Sequence, residues 1–201
     1  MVELIPESYI ARLDLPKIFG RVAPVQVDLG CGDGSFLSAL AEQMPERNFL
    51  GIERLIGRVR CACRKAERID NMRVIRVETA YAVRYLLPEQ SVQVFYLLFP
   101  DPWPKRRHER RRVMSSEFLR SVHCALAPQG LLRIATDQFD YFDQMQRLAR
   151  ADPQFVIVEP LLATPAGVDD VDLPLTKFER KFQQQGVRIH RLALRKASPV
   201  M

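Results

Sequence analysis

The chain has 201 residues, enough for one domain with a substantial core. At 47% hydrophobic and 27% charged it has a globular composition, which excludes a wholly disordered chain. The formal net charge is +6, and residues 105–112, with six cations and one Glu, supply +5 of it. So local a patch is either a solvated face or, as the neighbouring aromatic turn favours, a docking surface for phosphates or acidic lipid.

Four cysteines (Cys31, Cys61, Cys63, Cys124) form no CxxC pair and the three histidines are dispersed, so no metal site is expected. Free thiols fit a reducing cytoplasm. The acidic N-terminus, broken by Pro6, reads as neither signal nor transit peptide, and no apolar run has the length of a membrane span.

Residues 1–22 read as an N-terminal arm with a short helix near 7–12, and residues 23–201 as a single domain. A strand at 25–29 runs into Gly30-Cys31-Gly32-Asp33-Gly34, and a helix follows, with Phe36, Leu37, Leu40, Ala41 and Met44 at helical spacing. A second strand at 48–52 is closed by Glu53, and a helix is expected over 55–69. A third strand at 72–77 ends at Glu78, with a short helix at 81–87. Residues 92–99 form the most apolar strand, hence a central one buried on both faces.

The next stretch, Phe99-Pro-Asp-Pro-Trp-Pro-Lys-Arg-Arg-His-Glu-Arg-Arg-Arg112, holds three prolines and reads as a stiff turn. Ser115 caps a helix that ends at Pro128-Gln129-Gly130; a fifth strand at 131–135 reaches Thr136-Asp137; a helix at 141–150 and a strand at 155–158 follow. Residues 160–174 read as a long loop, of the kind that forms lids, before a helix at 176–185 and a last strand at 187–194. Strand alternating with helix predicts an α/β fold with a doubly wound, mostly parallel sheet.

In such sheets ligands bind beyond the carboxyl ends of the strands. Asp28, Glu53, Glu78, Asp101 and Asp137 fall at or near the ends of five successive strands. Clustered acids repel one another unless cations or ligand donors lie among them, so a ligand with amines and hydroxyls is expected. Gly30, Gly32 and Gly34 let it approach the backbone. Glu53, ending strand two, can accept both hydroxyls of a ribose, which suits an adenosine cofactor. Position 35 is Ser, so the nicotinamide fingerprint G-x-G-x-x-G is not met, and no P-loop G-K-[S/T] is present.

These features resemble the Rossmann-like fold of methyltransferases that use S-adenosylmethionine, which implies a seven-stranded sheet. The stretch from Phe99 to Arg112 is more specific and resembles the signature of the bacterial tRNA (guanine-N7-)-methyltransferases. Ala135-Thr-Asp137 and Thr176-Lys-Phe-Glu179 agree with it, so the likeness spans about residues 24–195. The family usually has Asp-Ala where this chain has Glu78-Thr79, and a neutral residue at Glu109.

The resemblance implies methyl transfer from S-adenosylmethionine, which leaves S-adenosylhomocysteine, to N7 of a guanosine in the tRNA variable loop. Asp28, Gly30, Gly32, Gly34, Glu53, Glu78 and Asp101 would line the methyl-donor site, with Asp101 also catalytic. Lys105, Asp137, Thr176, Lys177, Phe178 and Glu179 would bind the target nucleotide, and Arg107, His108, Glu109, Arg110, Arg111 and Arg112 the RNA. Thr176 and Glu179 also fit a helix capping box. Trp103 either stacks on a base or packs beneath the turn. Two other readings are an exocyclic-amine methyltransferase and a non-catalytic RNA-binding module. The former wants an acid- or Asn-Pro-Pro-aromatic turn, which Trp103 interrupts here; the latter is disfavoured by the glycine turn and the acids.

Overall fold

The computed structural model describes residues 3–159 and 173–197. The loop expected at 160–174 lies almost wholly outside the described residues. Eight strands form one sheet: β1 (Glu3–Leu4), β2 (Val25–Leu29), β3 (Asn48–Glu53), β4 (Met72–Arg76), β5 (Val92–Leu98), β6 (Leu126–Thr136), β7 (Phe155–Val158) and β8 (His190–Lys196). Their spatial order is β1-β4-β3-β2-β5-β6-β8-β7. The pairings among β1 to β6 are parallel, and β8 lies antiparallel between β6 and β7.

The strand expected to be most buried is β5, and it is central, paired with β2 on one side and β6 on the other. Chain order reverses between β2 and β5, which makes their carboxyl ends the topological switch point where doubly wound sheets bind ligands. Side chains alternate across the sheet. Val27, Leu29, Phe95 and Leu97 face one apolar layer with Phe118, Leu119, Tyr141 and Met145, whereas Val94 and Tyr96 face the other with Phe36, Leu37, Leu40 and Val59.

The helices of the second layer are α2 (Ser35–Gln43) and α3 (Ile56–Ala66). The first layer has α1 (Leu15–Phe19), α4 (Thr79–Tyr81) running into a π-helical turn at Ala82–Leu86, α5 (Ser116–Ala125) and α6 (Phe139–Ala151). Helix α7 (Lys177–Gln184) precedes β8.

The departures from the sequence-based expectation have local causes. The sheet has eight strands rather than seven because Glu3–Leu4 pairs with Val74 and Ile75 of β4. The arm's helix lies at Leu15–Phe19, not near residues 7–12, because Asp14 accepts from the Lys17 amide as its N-cap and Pro16 occupies the first turn, where its missing N–H costs nothing. Leu13, Leu15 and Phe19 are buried in the first layer. Strand β6 begins at Leu126 because its pairing with β5 skips from Val92–Leu126 to Val94–Leu131, a bulge that absorbs Pro128 and Gln129. No helix among the described residues is long and apolar enough to cross a membrane.

Candidate active site

The glycine turn joins β2 to α2. The Gly30 and Cys31 amides both donate to the Ile52 carbonyl, at 2.8 and 2.9 Å, which ties the turn to the end of β3. Gly30, Gly32 and Gly34 all have positive φ, which L side chains adopt only with strain. They differ in surroundings. A Cβ on Gly30 or Gly32 would meet nothing within 4 Å, so their hydrogen faces are open to an approaching ligand. A Cβ on Gly34 would come within 2.8 Å of the Ala62 Cβ, so Gly34 serves the packing of the turn on α3.

A cavity of about 570 Å³ opens at the carboxyl ends of β2, β3 and β5, lined by Gly30, Glu53, Glu78, Asp101, Trp103 and Arg111 among others. Four of the sequence-predicted positions for the methyl donor, Gly30, Glu53, Glu78 and Asp101, thus line one cavity, whereas Asp28, Gly32 and Gly34 are not among its lining residues. Glu53 is buried and fixed from three sides: its carboxylate accepts from the Gly32 amide at 3.1 Å and from the Arg54 and Leu55 amides at 2.8 Å each. Arg58 approaches it at 3.9 Å. Three backbone donors hold the carboxylate in one orientation and leave about one of its four lone-pair sites, on Oε2, for a ligand hydroxyl.

Asp28 lies one residue before the end of β2 and is buried. Burial, with the Glu53 charge adding to it, pushes its carboxyl up to about 7. No side chain among the described residues pairs with it, so a cationic or hydroxyl-bearing ligand would supply what the fold does not. The same two acids, after burial itself, push the neighbouring Cys31 thiol well above its usual range.

Glu78 behaves differently. It sits two residues beyond β4, exposed, and its carboxylate caps α4 by accepting from the Ala80 and Tyr81 amides at 3.0 and 2.8 Å. Asp101 is 71% exposed at its side chain, and Arg54 is its ion-pair partner at 3.6 Å. The turn that carries it is set by Phe99 and Trp103, both non-glycine residues at positive φ. The Phe99 amide donates to Ala135 O, so the turn is anchored to β6. The Arg112 guanidinium donates to the Pro102 carbonyl at 2.7 Å, bonds Gln144 and lies over the Tyr141 ring. Tyr141 is fully buried and its hydroxyl accepts from the Met114 amide; burial pushes it up to about 12.

The basic stretch is a 3-10 helix at Arg106–Arg111, begun by Lys105, rather than an irregular turn. Lys105, Arg107, Glu109, Arg110 and Arg111 are exposed. His108 packs edge-on against Trp103, and Arg111 lies 4.9 Å from the Trp103 ring centroid. Arg112, half-buried and bonded to the turn, is thus a clamp within the protein.

Helix α7 reaches this turn from the far end of the chain. Thr176 and Glu179 form a reciprocal capping box, and Glu179 also pairs with Arg191 at 2.9 Å. The rings of Phe178 and Phe182 lie 5.7 and 5.5 Å from that of Phe99. Lys177 instead bonds Asp33 in the glycine turn, which Lys65 also reaches at 3.0 Å. Burial raises the Asp33 carboxyl, but Lys177, Lys65 and Ser35 outweigh it and hold the group well below the usual carboxylate range. Asp137 follows β6, where Gln138 bonds its carboxylate.

Sequence reasoning missed Asp33, Arg54, Phe99 and Phe182. For Asp33 a signal existed, since Gly32-Asp-Gly-Ser35 is an acid followed two residues later by a hydroxyl that starts a helix. Lys177 lies 144 residues from Asp33, and the ring partners of Phe99 about 80 residues from it, and no local pattern reveals such pairs.

A nucleophilic base and a sulfonium methyl donor need an anionic, partly closed floor and an open backbone edge, and the switch point offers both. Fold and site together define the class of S-adenosylmethionine-dependent methyltransferases. The open Gly30 edge, the fixed Glu53 and Asp28, with which no side chain among the described residues pairs, fit that donor's cationic and hydroxyl groups. Residues 22–192 match the family model described as "Putative methyltransferase". A tRNA (guanine-N(7)-)-methyltransferase of Leifsonia xyli subsp. xyli is 41% identical over 91% of this chain and 81% of its own length. One from Halorhodospira halophila is 38% identical over 95% and 82%. The chain belongs to the tRNA (guanine-N(7)-)-methyltransferase family. Among solved structures, the 16S rRNA methyltransferase KamB superposes with a TM-score of 0.62 at 18% identity, over 92% of this chain and 93% of its own, which is a likeness of fold.

Proposed function

We infer that this protein transfers the methyl group of S-adenosylmethionine to N7 of a guanosine in tRNA. The observation that carries the reading is the single cavity lined by Gly30, Glu53, Glu78 and Asp101 beside an exposed cationic helix, in a chain of this family. The cofactor, when bound, supplies an electrophilic methyl group. Asp28 and Glu53 bind its cationic and hydroxyl groups, Gly30 and Gly32 leave it room at the backbone, and Glu78 faces the same cavity from the α4 end.

Guanine N7 is a lone-pair nucleophile with no proton to lose, so the protein's task is placement rather than strong-base catalysis. The purine becomes positive as the bond forms, and a fixed carboxylate at the cavity wall favours that charge. Asp101 has this role. The Arg112 clamp and the turn's strained residues hold it in one position, and Arg54 is its ion-pair partner. The Phe99–Phe178–Phe182 cluster brings α7 to the target-nucleotide side, together with Asp137 at the end of β6. Lys105, Arg107, Arg110 and Arg111 hold phosphates; the exposed Glu109 slightly lowers that potential, and His108 acts through Trp103.

The test is Asp101→Ala assayed for methyl transfer to tRNA. Turnover is expected to fall at least 100-fold, in line with loss of one transition-state electrostatic partner, while donor affinity changes only modestly. Turnover near wild type would remove Asp101 from the chemistry.

A further inference from the structure

A second groove, of about 380 Å³, lies beside the methyl-donor cavity, and Glu78, Arg111 and Val113 line both. We propose that this groove, floored by Tyr81 and Tyr85, is a subsite for a nucleotide adjacent to the target guanosine in the tRNA. The proposal rests on the methyl-transfer reading above and names where the RNA strand continues from the site.

A guanosine presented to the donor cavity carries its neighbours with it, and the strand must leave along a surface that accepts a base and a phosphate. The groove provides both. The rings of Tyr81 and Tyr85 lie 4.8 Å apart at 45°, and Tyr85 is 42% exposed. The Tyr81 hydroxyl donates to the Tyr9 carbonyl at 2.8 Å and its ring packs partly buried on the core, so Tyr81 is held in place and Tyr85 is the exposed ring of the pair. Exposed, pre-positioned aromatic faces are what single-stranded bases stack upon, without regard to sequence.

The charges agree. Arg84 lies 5.0 Å from the Tyr85 ring centroid and bonds Glu117, which neutralises that acid. The Glu78 charge is taken up by the Ala80 and Tyr81 amides. Arg110 makes no ion pair among the described residues, so together with Arg111 it leaves the mouth of the groove cationic. The strand-side sequence, read only as a short helix at 81–87, gave no hint of this, because the tyrosines acquire meaning from residues 110–113 across the groove.

The experiment combines a change in the protein with one in the RNA. Wild type and Tyr85→Ala are assayed on tRNA with an intact base, or with an abasic ribose, immediately 5′ or 3′ of the methylated guanosine. Tyr85 is exposed, and an unchanged thermal melt of the variant confirms an intact fold. Tyr85→Ala is expected to lower kcat/KM on intact tRNA about tenfold or more, chiefly through KM, with donor affinity retained, and Tyr85→Phe to restore it. On one side of the guanosine, the abasic site should impair wild type equally and cost Tyr85→Ala nothing further. Unchanged kcat/KM in Tyr85→Ala, or additive losses on both sides, would overturn the subsite. Failure of wild type to methylate N7 of intact tRNA would instead overturn the reading on which it rests.

Discussion

Gly30 and Gly34 stand four residues apart in one turn, and substitution by alanine should separate their roles. Both have positive φ, 85° and 75°, so a Cβ costs each about 1–2 kcal/mol in backbone strain. At Gly30 the new methyl meets nothing within 4 Å, and the cost stops there. At Gly34 it comes within 2.8 Å of the Ala62 Cβ and 2.9 Å of its Cα, and Ala62 is itself fully buried. Backbone cannot swing aside as a flexible side chain can, so overpacking adds about 1–3 kcal/mol. Gly34→Ala should therefore lose about 2–5 kcal/mol against about 1–2 for Gly30→Ala, measured by urea unfolding. Calorimetric titration of S-adenosylmethionine should rank them the other way, with Gly30→Ala binding more weakly because its methyl group enters the donor cavity. A Gly34→Ala variant as stable as wild type, or a Gly30→Ala variant with wild-type donor affinity, would refute the division.

Other outcomes follow from the same geometry. Asp28 has its carboxyl raised to about 7, so the folded state holds a proton that the unfolded chain releases near 4; stability of the donor-free protein should fall as pH rises from 4 through 7, and Asp28→Asn should flatten that slope in urea unfolding. Binding of a cationic donor should strengthen as pH rises through 7 and Asp28 becomes charged, which calorimetry at pH 6 and 8 measures. Arg107→Ala should weaken tRNA binding and reduce its salt slope by about one, whereas Arg112→Ala should lower the melting temperature and turnover by freeing the Asp101 turn. Lys177→Met should raise the Asp33 carboxyl, followed by NMR titration, because the cation that most depresses it is removed.

The central part of the fold was legible because its signals are local. The β2–turn–α2 unit is announced by a short apolar strand, three closely spaced glycines and helical spacing within 20 residues, and the Ser115 and Thr176 caps were readable in the same way. The arm's helix was not legible because Pro16, in its first turn, has the look of a breaker unless Asp14 is recognised as the cap. The strand-end acids were legible as a group but not in their individual states. Only burial distinguishes Asp28, with no side-chain partner among the described residues, from a Glu78 that caps its own helix, and burial depends on what the rest of the chain places around each. Arg112 shows the same limit. It reads as one cation among six, yet Pro102, Gln144 and Tyr141 make it part of the turn.

The most direct test of the whole account is incubation of the protein with unmodified tRNA and S-adenosylmethionine labelled in its methyl group, followed by digestion and nucleoside analysis. Label is expected in 7-methylguanosine and is lost when Asp101 is replaced by Ala. Label in any other nucleoside, or 7-methylguanosine formed as fast without the Asp101 carboxylate, would contradict it.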